Sequence, residues 1–196
     1  MPPTPLSPTP RKTRSDALQN REHLLEVAAR VFAERGVDIA PAAIAKEAGV
    51  GVGTLYRHFP TREALIVAAH HRQLTLVHEK SADLAARFPA SEATRTWIRH
   101  FLDFAAATSG MCTALNAVIT ADANPYADSH SLLTEAVTAL LDAGAHDGTL
   151  RTDVTADDVL LLVGSLTCTV QHTTPEQRLR IVDLLMDALT KTATAI

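Results

Sequence analysis

Residues 39–65 read IAPAAIAKEAGVGVGTLYRHFPTREAL, a pattern that predicts two short helices joined by a tight turn. Pro41 suits the first position of the first helix, and Gly49 can adopt the left-handed conformation that closes a last turn. The second helix is expected over about 53–59, because Pro60 cannot continue it. Such a short turn lets the two helices cross steeply, so that the second can project from the surface.

The second helix and its surroundings separate apolar from polar side chains. The apolar ones are expected to pack together and fix the crossing angle: Ile44, Ala45, Ala48, Val50, Leu55 and Phe59. The others are expected to face outwards: Val52, Gly53, Thr54, Tyr56, Arg57 and His58. Hydroxyl, guanidinium and imidazole groups are suitable donors to phosphates and to base edges in a major groove about 12 Å wide. The stretch therefore indicates recognition of double-stranded DNA.

Over roughly residues 18–70 the sequence resembles the TetR family of transcriptional regulators. The resemblance is carried by LLxxAxxxFxxxG at 24–36, IAxxAGV at 44–50, GTLYxHF at 53–59 and EAL at 63–65, all at the family's spacing. It implies a dimeric, one-component, small-molecule-responsive repressor that binds a palindromic operator. The helix-turn-helix would then span about residues 40–59. Beyond about residue 70 the similarity is only architectural.

By that resemblance, three residues of the recognition helix contact the phosphate backbone: Thr54, Tyr56 and His58. Arg62, at the start of the fourth helix, matches a basic position that pairs with a phosphate. The positive end of the helix dipole would reinforce such a contact.

The resemblance places Val52, Gly53 and Arg57 against base edges, where Arg57 can make a bidentate contact to guanine. A flexible basic arm is expected to reach the DNA backbone or minor groove through Arg11, Lys12 and Arg14. One departure concerns residues 40–43, which read APAA where the family tends to place Ser or Thr. A DNA contact from that point is therefore in doubt.

The composition favours an all-α fold. The 196 residues are 46% hydrophobic but only 4% aromatic, so the core is built from Ala, Leu and Val. Ala and Leu are strong helix formers, whereas strands favour β-branched and aromatic residues. We expect about nine helices, in three regions: a disordered tail over 1–15, a DNA-binding domain over 16–72, and a ligand-binding and dimerisation domain over 73–196.

Capping residues and glycines predict where the helices begin and end. Thr61, Thr155 and Thr174 are expected to start helices, and Gly36 and Gly144 to end them. The intervening periodicity predicts helices over about 61–88, 92–108, 111–121, 128–143, 156–172 and from about 175 onwards.

The helix expected over 156–172 carries apolar residues on two faces, which predicts burial both within the subunit and against a second copy, and the final helix supplies a matching apolar stripe. The interface expected from them is a four-helix bundle formed by Val159, Leu162, Val163, Leu166, Ile181, Leu184, Leu185 and Ala188.

A ligand pocket is expected among the middle helices. The candidate residues are Trp97, Phe101, Phe104, Met111, Leu115 and Val118, although each is equally well explained as ordinary core. Ligand binding would shift the population towards a conformer whose recognition helices no longer match successive major grooves. The sequence predicts no cofactor and leaves the inducer unknown.

The charge is unevenly distributed. The net charge is −4, yet residues 1–72 hold ten Lys and Arg against seven Asp and Glu, and residues 73–196 hold eight against fifteen. A basic first third joined to an acidic remainder suits a protein that places one end on a polyanion. A soluble, cytoplasmic protein is expected, since no apolar run reaches the roughly 18 residues of a membrane span and no signal peptide is recognisable.

The sequence does not favour a phosphate-binding loop, a metal site or a catalytic site. GVGVG at 49–53 lacks the preceding strand and the following Lys of a phosphate-binding loop. His70, His71 and His78 are expected to be solvated rather than metal ligands, and Cys112 and Cys168 to be reduced buried thiols. No nucleophile and base are evident, so an enzyme is not expected. The alternatives are a helical enzyme or ligand carrier, and an activator or nucleoid-type protein with the same DNA-binding head.

Overall fold

The structure, a computed structural model, describes residues 14–108, 127–167 and 169–191. Its helices are α1 (Arg14–Arg35), α2 (Pro41–Glu47), α3 (Val52–His58), α4 (Arg62–Arg87), α5 (Ala90–Ala107), α6 (Ala127–His146), α7 (Ala156–Thr167) and α8 (Pro175–Leu189). A 3₁₀ turn, Val170–His172, follows α7. Within these ranges there is no strand, only an isolated bridge between Leu150 and Thr190. The all-α prediction is confirmed.

Most predicted helix boundaries are confirmed by caps and turns. Backbone N–H groups donate to the three capping hydroxyls at 3.0–3.2 Å: Ala64 to Thr61, Asp158 to Thr155 and Gln177 to Thr174. Gly36 and Gly49 have φ values of +79° and +68°, the left-handed conformation expected after α1 and α2. The helix predicted over 156–172 is shorter, because α7 ends at Thr167. The helix predicted over 111–121 lies outside the described residues, as do residues 1–13 of the tail predicted over 1–15, whereas Arg14 and Ser15 belong to α1.

Gly144 does not end a helix, contrary to the prediction. α6 continues through it to His146, and the left-handed glycine is Gly148, with φ +75°. A Cβ at Gly144 would lie 2.3–2.7 Å from the Leu150 side chain. Glycine is therefore required here because the following chain packs directly on the helix, not because the helix turns.

The described hydrophobic residues form two separate cores. The first joins α1, α2 and α3 to the beginning of α4, with Leu24, Ile44 and Leu55 completely buried. The second joins the rest of α4 to α5, α6, α7 and α8, with Ile98 and Val163 completely buried. We call the first unit, up to Ala69 in α4, the head, and the remainder the body.

Helix α4 belongs to both cores. Leu65, Ile66 and Ala69 lie in the head core, whereas Leu74 and Leu84 lie in the body core. The domain boundary expected after residue 72 therefore falls inside one continuous helix. The same helix packs on α1 in the head and on α5 and α6 in the body.

Candidate functional site

Backbone hydrogen bonds fix the turn between α2 and α3. The N–H groups of Gly49 and Val50 donate to Lys46 and Ala45 carbonyls at 3.1 and 2.9 Å. Gly51 then supplies the carbonyl that accepts from Thr54 N–H at 2.8 Å as α3 begins. All these bonds are local, so the turn holds α3 at a defined angle to α2.

Helix α3 has a distinct outward face. Val52 and Tyr56 are 40% and 44% exposed, and Gly53 and Arg57 are exposed as well. At 100° per residue these four positions span an arc of about 140°. Leu55 is completely buried on the opposite side. The aromatic ring of Tyr56 and the guanidinium group of Arg57 are thus exposed to solvent on one side of a short helix.

Two further predicted contact residues lie on one flank of that face, between Arg57 and Leu55 around the helix. Thr54 and His58 are only half-buried there. The order around α3 therefore runs from the exposed face through Thr54 and His58 to Leu55 in the core.

Phe59 anchors the end of α3 to α1. It is 2% exposed, and the Arg21 guanidinium lies 5.3 Å from the centre of its ring. This cation–π contact ties α1 to the end of α3.

Arg62 ties α4 to the loop between α1 and α2. Its guanidinium donates to the backbone carbonyl of Val37 and, at 2.9 Å, to the Asp38 carboxylate. Sequence reasoning gave this arginine only a phosphate contact. The structure shows a positioning bond that fixes the entry to α2, and leaves Arg62 half-buried.

Glu47 joins α2 to α1 on the other side of the motif. Its two carboxylate oxygens lie 2.8 and 3.1 Å from the guanidinium groups of Arg30 and Arg35. These pairs partly neutralise the basic end of α1. At the start of α2, Ala40 makes no side-chain cap, as its short side chain dictates.

Most of the predicted basic arm lies outside the described residues. Arg11 and Lys12 lie outside the described residues, and Arg14 is the first residue of α1.

The body contains an apolar cavity of about 220 Å³ between four helices. Phe101 and Phe104, both predicted, line it. The other described lining residues are His70, Leu74, Ala105, His130, Leu133, Leu160, Gly164 and Thr167. Met111, Leu115 and Val118 lie outside the described residues.

Trp97 was expected in the pocket but is not among the described lining residues. It is 1% exposed, and its indole N–H donates to the Val77 carbonyl at 3.0 Å. Its ring stacks on Phe101 with centroids 5.6 Å apart. Trp97 therefore supports the aromatic wall from behind.

His70 is buried rather than solvated, so that prediction is wrong for it. It is 5% exposed, and burial, with a smaller effect from His71, lowers its pKa to about 4. Its imidazole lies 5.9 Å from the Phe104 ring, centroid to centroid. The sequence signal was available, since position 70 lies four residues after Ile66 and four before Leu74, both on the buried side of α4.

Only part of the predicted dimer surface is exposed. Leu162 and Leu184 are 52% and 69% exposed, and Ala188 is exposed too. Three predicted residues are partly buried against the body core: Leu166, Ile181 and Leu185.

Val159 and Val163 are wrongly placed by the interface prediction. They are 3% and 0% exposed and belong to their own body core, because that side of α7 faces α5 and α6. The outward residue missed by the predicted set is Leu161, which is 74% exposed. Sequence periodicity gave two apolar faces on α7 but could not say which one the chain itself covers.

Within the described ranges, neither a metal site nor a membrane-spanning helix is found. There, no three His, Cys, Asp or Glu side chains are grouped closely enough to hold a metal ion. Likewise, none of the helices described is long and apolar enough to cross a bilayer.

Two family models match the sequence. Residues 24–69 match the bacterial regulatory proteins of the tetR family, and residues 89–191 match the C-terminal domain of SbtR-like transcriptional regulators. The first match spans the helix-turn-helix, and the second spans more than half of the chain, including the cavity helices of the body after α4.

Similar structures extend over nearly the whole fold. A TetR transcriptional regulator from Streptomyces coelicolor is 42% identical, with 88% of this chain and 99% of that one covered and a TM-score of 0.76. A TetR transcription regulatory protein from Mycobacterium vanbaalenii is 30% identical, with 91% and 99% covered and a TM-score of 0.72.

Among curated sequences, an HTH-type transcriptional regulator from Staphylococcus aureus is 45% identical over 62 residues. That match covers 31% of this chain and 34% of the relative, so the curated relatives are matched over about a third of their length.

Proposed function

Because the chain belongs to the TetR family of transcriptional regulators, we propose that it acts as a homodimeric, small-molecule-responsive repressor on a palindromic operator, in the cytoplasm. The observation that carries this proposal is the outward face of α3, where Tyr56 and Arg57 are exposed while Leu55 is completely buried. A polar face on a firmly anchored short helix suits entry into a major groove.

Each exposed residue of α3 then has a role. Arg57, with Val52 and Gly53, faces base edges, and Arg57 can donate bidentately to guanine. Tyr56 contacts the phosphate backbone, which carries no sequence information but fixes the register. Thr54 and His58 on the flank add backbone contacts.

Arg62 has two roles in the proposal. In the free protein it holds Val37 and Asp38. On DNA, it turns part of its guanidinium towards a phosphate near the start of α4. Arg11, Lys12 and Arg14 add a basic arm that strengthens binding without selecting a sequence.

Dimerisation follows from the exposed leucines of the last two helices. Leu161, Leu162 and Leu184 are each more than half exposed. Several large apolar side chains exposed on the last two helices favour a protein interface, whereas one alone would not. A second copy seated there by two-fold symmetry would also place two α3 helices for two half-sites.

The ligand response follows from the position of the cavity. Its lining comes from α4, which carries the head, and from α7, which carries the exposed leucines. A ligand that favours one arrangement of these two helices shifts the spacing of the recognition helices. The resulting coupling is typically about 1–3 kcal/mol in operator affinity.

DNA binding is tested by fluorescence anisotropy with the region upstream of the protein's own gene. Tight binding that weakens steeply with salt is expected, because phosphate contacts release counterions. Tyr56→Ala and Arg62→Ala should weaken binding to all sequences alike, whereas Arg99→Ala on the exposed side of α5 is the matched control. Wild-type affinity in Tyr56→Ala, Arg57→Ala and Arg62→Ala together would refute the site.

Dimerisation is tested by light scattering. Leu162→Glu and Leu184→Glu should give monomers at micromolar concentration, and Leu76→Glu, at a 39% exposed leucine of α4, should remain dimeric. A wild-type monomer would contradict the proposal. Repression itself is tested by transcription of the neighbouring genes with and without the protein.

A further inference from the structure

The size of the body cavity limits its ligand. Its volume is about 220 Å³. Because a cavity of about 150 Å³ holds benzene, this one suits one ring with a small substituent, on the order of ten non-hydrogen atoms.

The described lining of the cavity offers an ion no carboxylate, ammonium or guanidinium partner. None of its described lining residues is Lys, Arg, Asp or Glu. His70 is buried and, with its pKa lowered to about 4, uncharged at pH 7. His130 is exposed, with its Nε2 4.0 Å from an oxygen of Asp157. A charged ligand would therefore lose its hydration without gaining an opposite charge.

Aromatic rings form one wall of the cavity. The Phe101 and Phe104 centroids are 6.4 Å apart with planes tilted by 55°, and the His70 ring centroid lies 5.9 Å from that of Phe104. Rings prefer offset or edge-to-face neighbours at such distances, so a planar aromatic ligand fits this wall.

Thr167 of α7 supplies a hydrogen-bond acceptor to the cavity lining. Its hydroxyl donates to the Gly164 carbonyl at 2.7 Å, which uses its proton but leaves oxygen lone pairs. The group that complements this oxygen is a donor on the ligand, such as a hydroxyl.

Phe104 separates the cavity from an outer groove. The same side chain lines the cavity and a second depression bordered by Ala29 and Arg30 of α1 and by Gln73 of α4. Removing the phenyl ring would join the two spaces. Phe104 therefore limits how far a ligand can extend towards the head.

We propose that the cavity selects an uncharged molecule with one aromatic ring and one hydroxyl group, and that Phe104 sets the length of this ligand. The proposal rests on the ligand response proposed above and adds the chemical class of the ligand. It assigns Phe104 and Thr167 as the residues that determine specificity.

Three compounds of almost equal size test the class: benzyl alcohol, benzoate and benzylamine. With the full-length protein, calorimetry and ligand-detected NMR should show binding of the alcohol alone. Equal or tighter binding of benzoate or benzylamine would overturn the proposal, as would failure of all three to bind.

Two variants test the location. Ala105→Leu fills the cavity and should abolish binding of benzyl alcohol. Thr167→Val keeps the shape and should weaken it about tenfold, the usual effect of one lost hydrogen bond. If Ala105→Leu does not fold, Thr167→Val alone decides, and unchanged affinity in it would overturn the proposed site.

Phe104→Ala tests the length limit. It should bind 4-butylbenzyl alcohol, which the wild type should reject. Phe88→Ala, which removes another partly buried phenyl ring of the body, is the matched control and should reject it. Equal binding of the long alcohol by wild type and Phe104→Ala would refute the role of Phe104.

The same titrations with labelled operator separate this proposal from the proposed function. Binding of benzyl alcohol without release of DNA supports the ligand class and contradicts the response for that compound. Release of DNA by benzoate with no effect of the alcohol supports the response and overturns the class.

Discussion

The head and the body use the same kind of apolar core for opposite purposes. In the head the core is a platform, and the functional groups, such as Tyr56 and Arg57, lie outside it on α3. In the body the core surrounds a cavity, and the surface of α7 and α8 exposes leucines instead. The head thus presents polar side chains to the outside, whereas the body combines an apolar cavity with exposed leucines.

This difference shows why α4 matters to both regions. It contributes Leu65 to the head core and Leu74 to the body core, with His70 between them at the cavity. A change of packing around His70 acts on a rigid helix whose first residue, Arg62, holds the loop before α2.

The largest expected effect tests whether the head core and the body core are independent. Leu55→Ala removes a completely buried side chain from the head and should destabilise it by about 2–5 kcal/mol. Operator binding should be lost, while the body stays folded and dimeric by circular dichroism and light scattering. Leu76→Ala, at an exposed leucine of α4, is the control. Loss of the dimer in Leu55→Ala would show that the cores are not independent.

The next largest effect concerns the buried His70 of the body, which should make the free energy of unfolding depend on pH. The folded chain holds His70 uncharged down to about pH 4, whereas the unfolded chain protonates it near pH 6.5. The free energy of unfolding should therefore fall as pH drops from 6.5 to 4, by up to ~3 kcal/mol from this group.

Urea titrations at several pH values check this expectation. His70→Gln should flatten the decrease over that range, and His23→Gln, at an exposed histidine of α1, should not. An unchanged pH dependence in His70→Gln would contradict the burial of this imidazole.

Two glycines of the body distinguish a tightly packed part of its interior from a part with free space. Gly144→Ala would force a Cβ into the Leu150 side chain and should cost about 1–3 kcal/mol. At Gly164 a Cβ meets nothing within 4 Å, so Gly164→Ala should stabilise α7 by about 0.5–1 kcal/mol. Thermal unfolding measures both, and equal shifts of the two variants would show that the space beside Gly164 is not open.

The smallest expected effect concerns the exposed side of the head. Asp38→Ala removes a fully exposed carboxylate that accepts from Arg62, so stability should hardly change. Operator affinity should rise at low salt, because a negative charge disappears and Arg62 is released towards phosphate. A clear loss of affinity would show instead that Arg62 needs Asp38, and not the Val37 carbonyl alone, to hold the loop before α2.

The sequence predicted the head better than the body for a physical reason. In the head, Gly36, Gly49 and Thr61 mark the helix ends through backbone conformation and capping, which are local effects. The outward face of α3 follows from the spacing of Leu55 and Phe59. Contacts between distant positions were missed, such as the bonds of Arg62 to Val37 and Asp38, 25 and 24 positions away, and the pairing of Glu47 with Arg30.

In the body, the same residue types serve several purposes. Apolar periodicity cannot distinguish Val163, which is fully buried in its own subunit, from Leu162, which is exposed. It cannot separate Trp97, behind the aromatic wall, from Phe101, which lines the cavity. The sequence at Gly144 resembled a helix end, because glycine occurs both where chains pack closely and where a helix turns, and the sequence does not distinguish the two.

The central claim is that the outward face of α3 reads base edges, and the most direct measurement compares specificity profiles. Affinities of the wild type and Arg57→Ala are determined for operator variants substituted singly at every position. Arg57→Ala should lose about 1–3 kcal/mol of discrimination at one position in each half-site and keep the rest of the profile. A uniform loss at all positions, or an unchanged profile, would contradict the claim.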